Sequence, residues 1–513
     1  MATTTLNEAE GAWDKIDAQF DELKAFVRQA VAAGTPLHGV ERGLLQRLVA
    51  LGRLLLEGFV KRSGTGYTAG QAPRTADDKP LEYKGIWPVR YCSIFGRIWL
   101  RRAGYALPQG GYVYPMDARW NRPAGRWSYL LQEWLQLNAS DDDYRDAADR
   151  LNRMFGLKLV PNTPQRLTAA VGAQVDTFYE QMPAPEPGTE GACLGIGGDG
   201  KGVRILRRDR DGDDAPAPKS KPRRDKGEKP NTTKESVVTT VFSFEPEARD
   251  PEEMVRCMMH QLTEEERAER KDEYKRRRQE QVPLPREPLN VHARAGLDGK
   301  DAAYKRAMEQ VHRRDPQGLK PIVGLMDGAL ALEPAFRRQL KAAGLSDRLD
   351  ALVLDIWHAA EYVWEAGTAL HGEGTPERNA WVEDKLRALL NSRVGRVIGG
   401  MRQMRTKGRL KPAQDRALEK AITYFSNHRH MMDYATYLAK GYPIGTGLVE
   451  GHCNSLVADR MERSGMRWSI AGANAMLQQR AVKQNDDWDA FWAYRTSSEK
   501  DRLYGSPAYK VAA

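Results

Sequence analysis

Apolar residues recur at three- and four-residue intervals through LLQRLVALGRLLLEGFV (44–60), the spacing of one helix face. A looser version of the same period runs through 7–33, so the pattern predicts two amphipathic helices, 7–33 and 38–62. GTGYTAGQAPRTADDKP (64–80) interrupts it with glycine, proline and charge and reads as a linker. In VRYCSIFGRIWLRRAGYAL (89–107) the period shortens to two on either side of Phe95-Gly96, which predicts a small β-hairpin. Helical spacing returns after Trp120. Residues 143–175 read as a helix, a break at Gly156, an Asn162-Thr163 cap and a second helix. That is the outline of a helix-turn-helix and equally of a plain helical hairpin. In the first case Gln165 and Arg166, near the start of the second helix, are the candidate base readers.

Beyond residue 190 the pattern changes class. GIGGDGKGVRI (195–205) is a short apolar rise that reaches an acid among glycines, and SVVTTVFSF (236–244) is a strand. Between them, 207–234 is rich in Pro, Asp and Lys and nearly free of large apolar residues, so it is expected to stay an extended, disordered loop. Residues 264–281 form a charged helix. KPIVGLMDGALAL (320–332) and LDALVLDIWH (349–358) each carry an apolar strand that runs into an aspartate. Helical spacing fills 360–440 and, in a tail ending near Trp488 and Trp492, 470–495.

Charge sharpens the picture. The 513-residue chain carries a net charge of +10, and the excess is concentrated. Residues 393–411 hold Arg393, Arg396, Arg402, Arg405, Lys407, Arg409 and Lys411 without one acid, whereas 264–280 balances seven charges of each sign. Crowded like charges repel unless a polyanion lies opposite, so 393–411 is read as facing nucleic acid, against the alternative of an ordinary basic surface. Trp468, among Arg460, Arg463 and Arg467, is a further candidate DNA contact. The four cysteines form no CxxC pair, which argues against a disulfide framework or zinc ribbon. No apolar run is long enough for a membrane-spanning helix, and the first twenty residues lack the apolar centre of a signal peptide. A cytoplasmic protein without a membrane partner is expected.

Asp199 is the first candidate for chemistry. A P-loop would place Lys and a hydroxyl residue at the start of a helix, and here Lys201 is followed by Gly202 and Val203. Asp327 likewise follows an apolar strand and precedes a glycine, and Glu450 lies where a Gly-rich loop enters a helix. Two strand-end aspartates and a helix-borne glutamate suit a hard divalent cation, and such a trio can hold two. Asp355 competes for the second place, since ALVLD also ends in an acid. The order of elements puts Asp327 on the fourth strand of the core and Asp355 on the fifth. His358 either orients an active-site acid or phosphate, or packs structurally.

GGDGKGV (197–203), GLMDGALAL (324–332), LDIWHAAEYVW (354–364) and YPIGTGLVEGHCNSLVADRMERSGMRW (442–468) together resemble the Asp-Asp-Glu transposases of bacterial insertion sequences, most closely the ISKra-type family. The resemblance implies an α/β fold: an RNase H-like mixed-sheet core with an all-α insertion, preceded by helical and helix-turn-helix-like regions and a small β-hairpin. It implies Asp199, Asp327 and Glu450 as catalytic residues and ligands of two Mg²⁺ or Mn²⁺ ions, with Asp355 and His358 as support. Relatives carry paired cysteines near the N-terminal hairpin; only Cys92 stands there in this chain, so a zinc site is not expected.

The expected divisions are a helical region 1–75, a hairpin region 76–120, a helix-turn-helix-like DNA-binding domain 121–185, core 186–358, an all-α insertion 359–441 and core plus helical tail 442–513. The implied activity is cleavage of an element's terminal inverted repeats and strand transfer into target DNA, by a homodimer or higher oligomer at the bacterial nucleoid. Gln165, Arg166, Arg402, Arg405, Lys407, Arg409, Arg463, Arg467 and Trp468 would contact DNA. The competing readings are a non-catalytic DNA-binding protein and a nuclease without strand transfer.

Overall fold

The computed structural model describes residues 2–209, 232–280, 282, 284, 286–505 and 509, so most of the predicted loop 207–234 lies outside the described residues. The chain divides into two compact units, Met1–Tyr179 with Asp487–Ala513, and Glu180–Asp486.

In the first unit the helices Ala2–Ala32 and Leu37–Arg62 fold back on each other, with Ile16 against Gly58 and Phe26 against Gly43. Strands β1 (Glu82–Ser93), β2 (Gly96–Ala106) and β3 (Tyr112–Val113) make an antiparallel sheet. Its hairpin turns at Gly96, whose φ of 111° suits only glycine. The helix Tyr144–Phe155 is capped by the Asp143 carboxylate and ends at Gly156 in the left-handed region. The next helix, Asn162–Gly172, does not start as expected. Asn162 is already helical, Pro161 precedes it, and no side chain caps the end.

A second departure concerns the tail. Helix Trp488–Tyr504 belongs to this unit and not with the preceding core segment. Phe491 meets Phe178 edge-on at 5.4 Å, and Arg495 donates to the Gln174 side chain and the Ala170 carbonyl.

The second unit is built on a mixed five-stranded sheet of β4 (Cys193–Arg204), β5 (Thr233–Phe244), β6 (Leu289–Gly296), β7 (Ile322–Met326) and β8 (Leu349–Leu354). Their order is β6-β5-β4-β7-β8; β4 pairs antiparallel with β5 and parallel with β7, and β8 continues the parallel side. Near-continuous burial of β5 and β7 reflects packing on both faces. Helices Ile356–His371, Pro376–Leu390, Val394–Lys407 and Pro412–His428 share one apolar core with the sheet, so the predicted insertion 359–441 is not a separate compact unit. Among the described residues no helix is long and apolar enough to cross a membrane.

Candidate active site

Gly198 faces Met326 as the last parallel pair of β4 and β7, and the residue after each is an aspartate, Asp199 and Asp327. Met326 in turn faces Leu354 of β8, and the next residue, Asp355, donates its N–H to the Met326 carbonyl at 2.8 Å. Three carboxylates therefore stand at one level across three adjacent strands. Asp327 follows the fourth strand of the sheet in chain order and Asp355 the fifth.

Two glycines determine what can approach Asp199. A Cβ at Gly197 would collide with Val449 of the short helix Gly447–His452, and one at Gly198 would collide with the Tyr304 hydroxyl. Consecutive strand residues point to opposite faces, so the pair lets one helix close onto each face of β4. The helix that lies on Gly197 carries Glu450. It widens into a π-helical turn at Cys453–Ala458, a distortion common at functional sites, before returning to α at Asp459–Met461. The Cys453 thiol lies against Asp199; burial first, then that carboxylate's charge, pushes its pKa up.

The acids differ in what remains open on them. Asp355 is 1% exposed and saturated. One oxygen accepts the N–H groups of Trp357 and His358, capping helix Ile356–His371, and the other accepts the N–H and hydroxyl of Thr446. Asp327 is half-buried: Oδ1 accepts the Ala329 N–H at 2.8 Å, and Oδ2 has no hydrogen-bond partner among the described residues. Burial raises the Asp327 pKa and the neighbouring Asp199 charge adds to the rise. Burial would also raise Asp355, but His358 and Thr446 outweigh it and hold that acid below the usual range.

His358 Nδ1 lies 3.8 Å from Asp355 and 3.4 Å from Glu450. Asp355, opposed by burial and reinforced by Glu450, raises the imidazole to about 9, so it is cationic at neutral pH. The Thr446 hydroxyl sits between the same two acids, at 2.5 Å and 3.1 Å. Among the described residues one set of three donors falls within 4.8 Å, namely Asp355, His358 and Glu450. Asp199 and Asp327 stand outside that set. An open cleft of about 290 Å³ adjoins the cluster, lined by Asp327, His358, Glu361, Lys420 and Tyr424. The Tyr424 hydroxyl donates to the Asp327 carbonyl at 2.9 Å.

The remaining predicted residues are not all placed as expected. Gln165 and Arg166 are exposed on helix Asn162–Gly172, and Arg402, Lys407, Arg409, Arg463 and Arg467 are exposed in the second unit. Arg405 is not an open cation: it forms a two-pronged pair with Asp415 at 2.7 and 3.0 Å, and Glu419 lies 3.6 Å away. Trp468 is not a surface residue. It is 6% exposed, its Nε1 donates to the Met461 carbonyl, and the Arg460 guanidinium covers its ring at 4.8 Å. Sequence reasoning assigned no role to Thr446, Glu361 or Tyr424, although Thr446 and Glu361 lie inside segments it singled out. For Thr446 and Glu361 their places near Glu450 and Asp355 in sequence were the available signal; Tyr424 had none.

No protein-family model matches the chain, and no curated protein is similar to it.

Proposed function

We propose that the chain is a metal-dependent DNA-cutting and joining enzyme, a transposase of the Asp-Asp-Glu type with an RNase H-like core. The observation that carries this reading is the register of β4 and β7. It sets Asp199 beside Asp327, and no Lys or Arg pairs with either acid among the described residues. Antiparallel strands on one side of β4 and parallel ones on the other support the RNase H-like assignment.

An open oxygen on Asp327, an adjacent carboxylate and a third on the facing helix are hard donors suited to Mg²⁺ or Mn²⁺. Asp199, Asp327 and Glu450 would hold the metal, which when bound supplies an acidified water and charge neutralisation at the leaving oxygen. Asp355 positions: it caps the helix that bears His358 and anchors Thr446 beside Glu450. The His358 cation borders the cleft, where it can attract a phosphodiester oxygen. Water attacks phosphorus in line and the bond to the 3′-oxygen breaks; the freed 3′-hydroxyl then attacks a target phosphodiester and displaces that strand's own 3′-oxygen.

The test incubates the full-length protein with Mg²⁺, labelled genomic duplex flanking its coding sequence, and a supercoiled target plasmid. Label covalently joined to plasmid is the expected result. Nicking without joining would leave a nuclease, and a gel shift alone would leave a binding protein.

A further inference from the structure

An open groove of about 830 Å³ lies within the first unit, between helix Leu37–Arg62, the β1–β2 hairpin and the Tyr144–Phe155/Asn162–Gly172 helix pair. Six cations line it, Arg53, Arg90, Arg97, Arg126, Lys158 and Arg166, and no acid does. Five of them are exposed and Arg90 is half-buried. None of the six forms an ion pair among the described residues. Elsewhere this chain neutralises arginines routinely, as in Arg102–Asp117, Arg314–Glu190 and Arg348–Asp315. Six unpaired like charges around one concavity repel each other, and a facing polyanion relieves that repulsion.

The groove's walls are held by tight local geometry. Gly96 (φ 111°) and Gly156 (φ 65°) fix the two turns that border it, and Phe95 packs where a side chain on Gly52 would stand. The cations come from four separate segments, and six of them exceed what a single small anion needs, which suits an array of phosphates. The three aromatic rings are already engaged, Phe95 against the helix at Gly52, Trp127 beneath Arg126 at 5.4 Å and Phe155 against Trp134 at 5.5 Å, so base stacking is not what the groove offers.

We infer that this groove is a sequence-independent binding site for the phosphodiester backbone of duplex DNA. Arg166, a base reader in the helix-turn-helix reading, here faces phosphate. The inference goes beyond the proposed function and does not rest on it: the groove binds by its own charge whether or not the carboxylate site cuts.

The experiment measures anisotropy of a labelled random-sequence duplex with full-length protein in EDTA, where no cleavage occurs, across a salt series. The Arg53→Gln/Arg97→Gln/Arg126→Gln/Arg166→Gln variant should bind more than tenfold more weakly at moderate salt. Its slope of log K against log salt should be shallower by about 0.9 for each phosphate no longer neutralised. An unchanged melting transition shows that the variant is folded; if it melts early, the four single variants, each expected to lose a share of the slope, take its place. Unchanged affinity and slope in the folded variants would overturn the inference. So would tighter binding of single-stranded oligonucleotide than of duplex, or displacement of the duplex by poly-glutamate as readily as by unlabelled duplex. A protein that binds through these arginines yet never cuts would overturn only the proposed function.

Discussion

At the scale of single residues, the decisive contrast is between two strand-end aspartates with the same local sequence pattern. Asp355 has spent both oxygens on protein donors, while Asp327 keeps one open beside Asp199. Asp327→Asn should therefore abolish Mg²⁺-dependent cleavage with little change in stability, since the variant loses a charge from a site where burial already disfavours it. Asp355→Ala should behave differently, costing about 1–2 kcal/mol in urea unfolding through removal of the helix cap. Its cleavage defect should be partly rescued by Asp355→Asn, which keeps the cap. Cleavage assays at saturating DNA and urea titrations of these variants check both claims; a cutting Asp327→Asn protein would remove it from the ligand set. These acids are legible in the sequence because an apolar strand that runs into Asp is a local pattern. Trp468 is not, because an aromatic among arginines looks the same in sequence whether cations cover a buried ring or the ring meets DNA.

At the scale of elements, strong periodicity was legible and weak periodicity was not. β5, β7 and β8 follow from their apolar runs, whereas β6 (LNVHARAG) has mixed polarity and becomes a strand by pairing with β5. The same strand brings a half-buried base into the sheet. His292, opposite Val241, has its Nε2 shut off from water and lies near Arg294, Arg314 and Arg313; burial first, then those charges, hold its pKa well below the ordinary 6.5. The folded protein therefore keeps this imidazole neutral where the unfolded chain takes up a proton. Its contribution is intact above about pH 6.5 and is lost as pH falls below that value. Below that point stability should fall by an added ~1.4 kcal/mol per pH unit from this one group. Urea unfolding between neutral and mildly acidic pH should show that His292→Gln removes one proton's worth of slope. An equal slope in both proteins would mean that His292 titrates normally in the fold.

At the scale of the whole molecule, sequence is least informative where partners are far apart in the chain. Helix Trp488–Tyr504 joins residues more than 300 positions earlier, through Gln174–Glu499 and Arg495–Ala170, and no local pattern announces that return. The basic run 393–411 shows the same limit in its charges. Counted along the chain it is unopposed, yet Asp415 and Glu419 on the next helix reach back to Arg405. That geometry separates two kinds of cation within one segment. Arg402, Lys407 and Arg409 remain exposed without an ion pair among the described residues, so they are free to release counterions from DNA. Arg402→Gln/Lys407→Gln/Arg409→Gln should flatten the salt dependence of duplex binding by roughly 0.9 for each phosphate the variant no longer neutralises. Helix content should survive, because Gln is close to Arg and Lys in helix propensity. Arg405→Gln should leave that slope unchanged. Its effect belongs to the packing of helices Val394–Lys407 and Pro412–His428, where solvent screens the pair and leaves it little weight in stability. Anisotropy and thermal melting on the two variants separate the roles: a changed slope for Arg405→Gln would mean that DNA displaces Asp415 from it, and an unchanged slope for the triple variant would leave this face to solvent or to a second subunit.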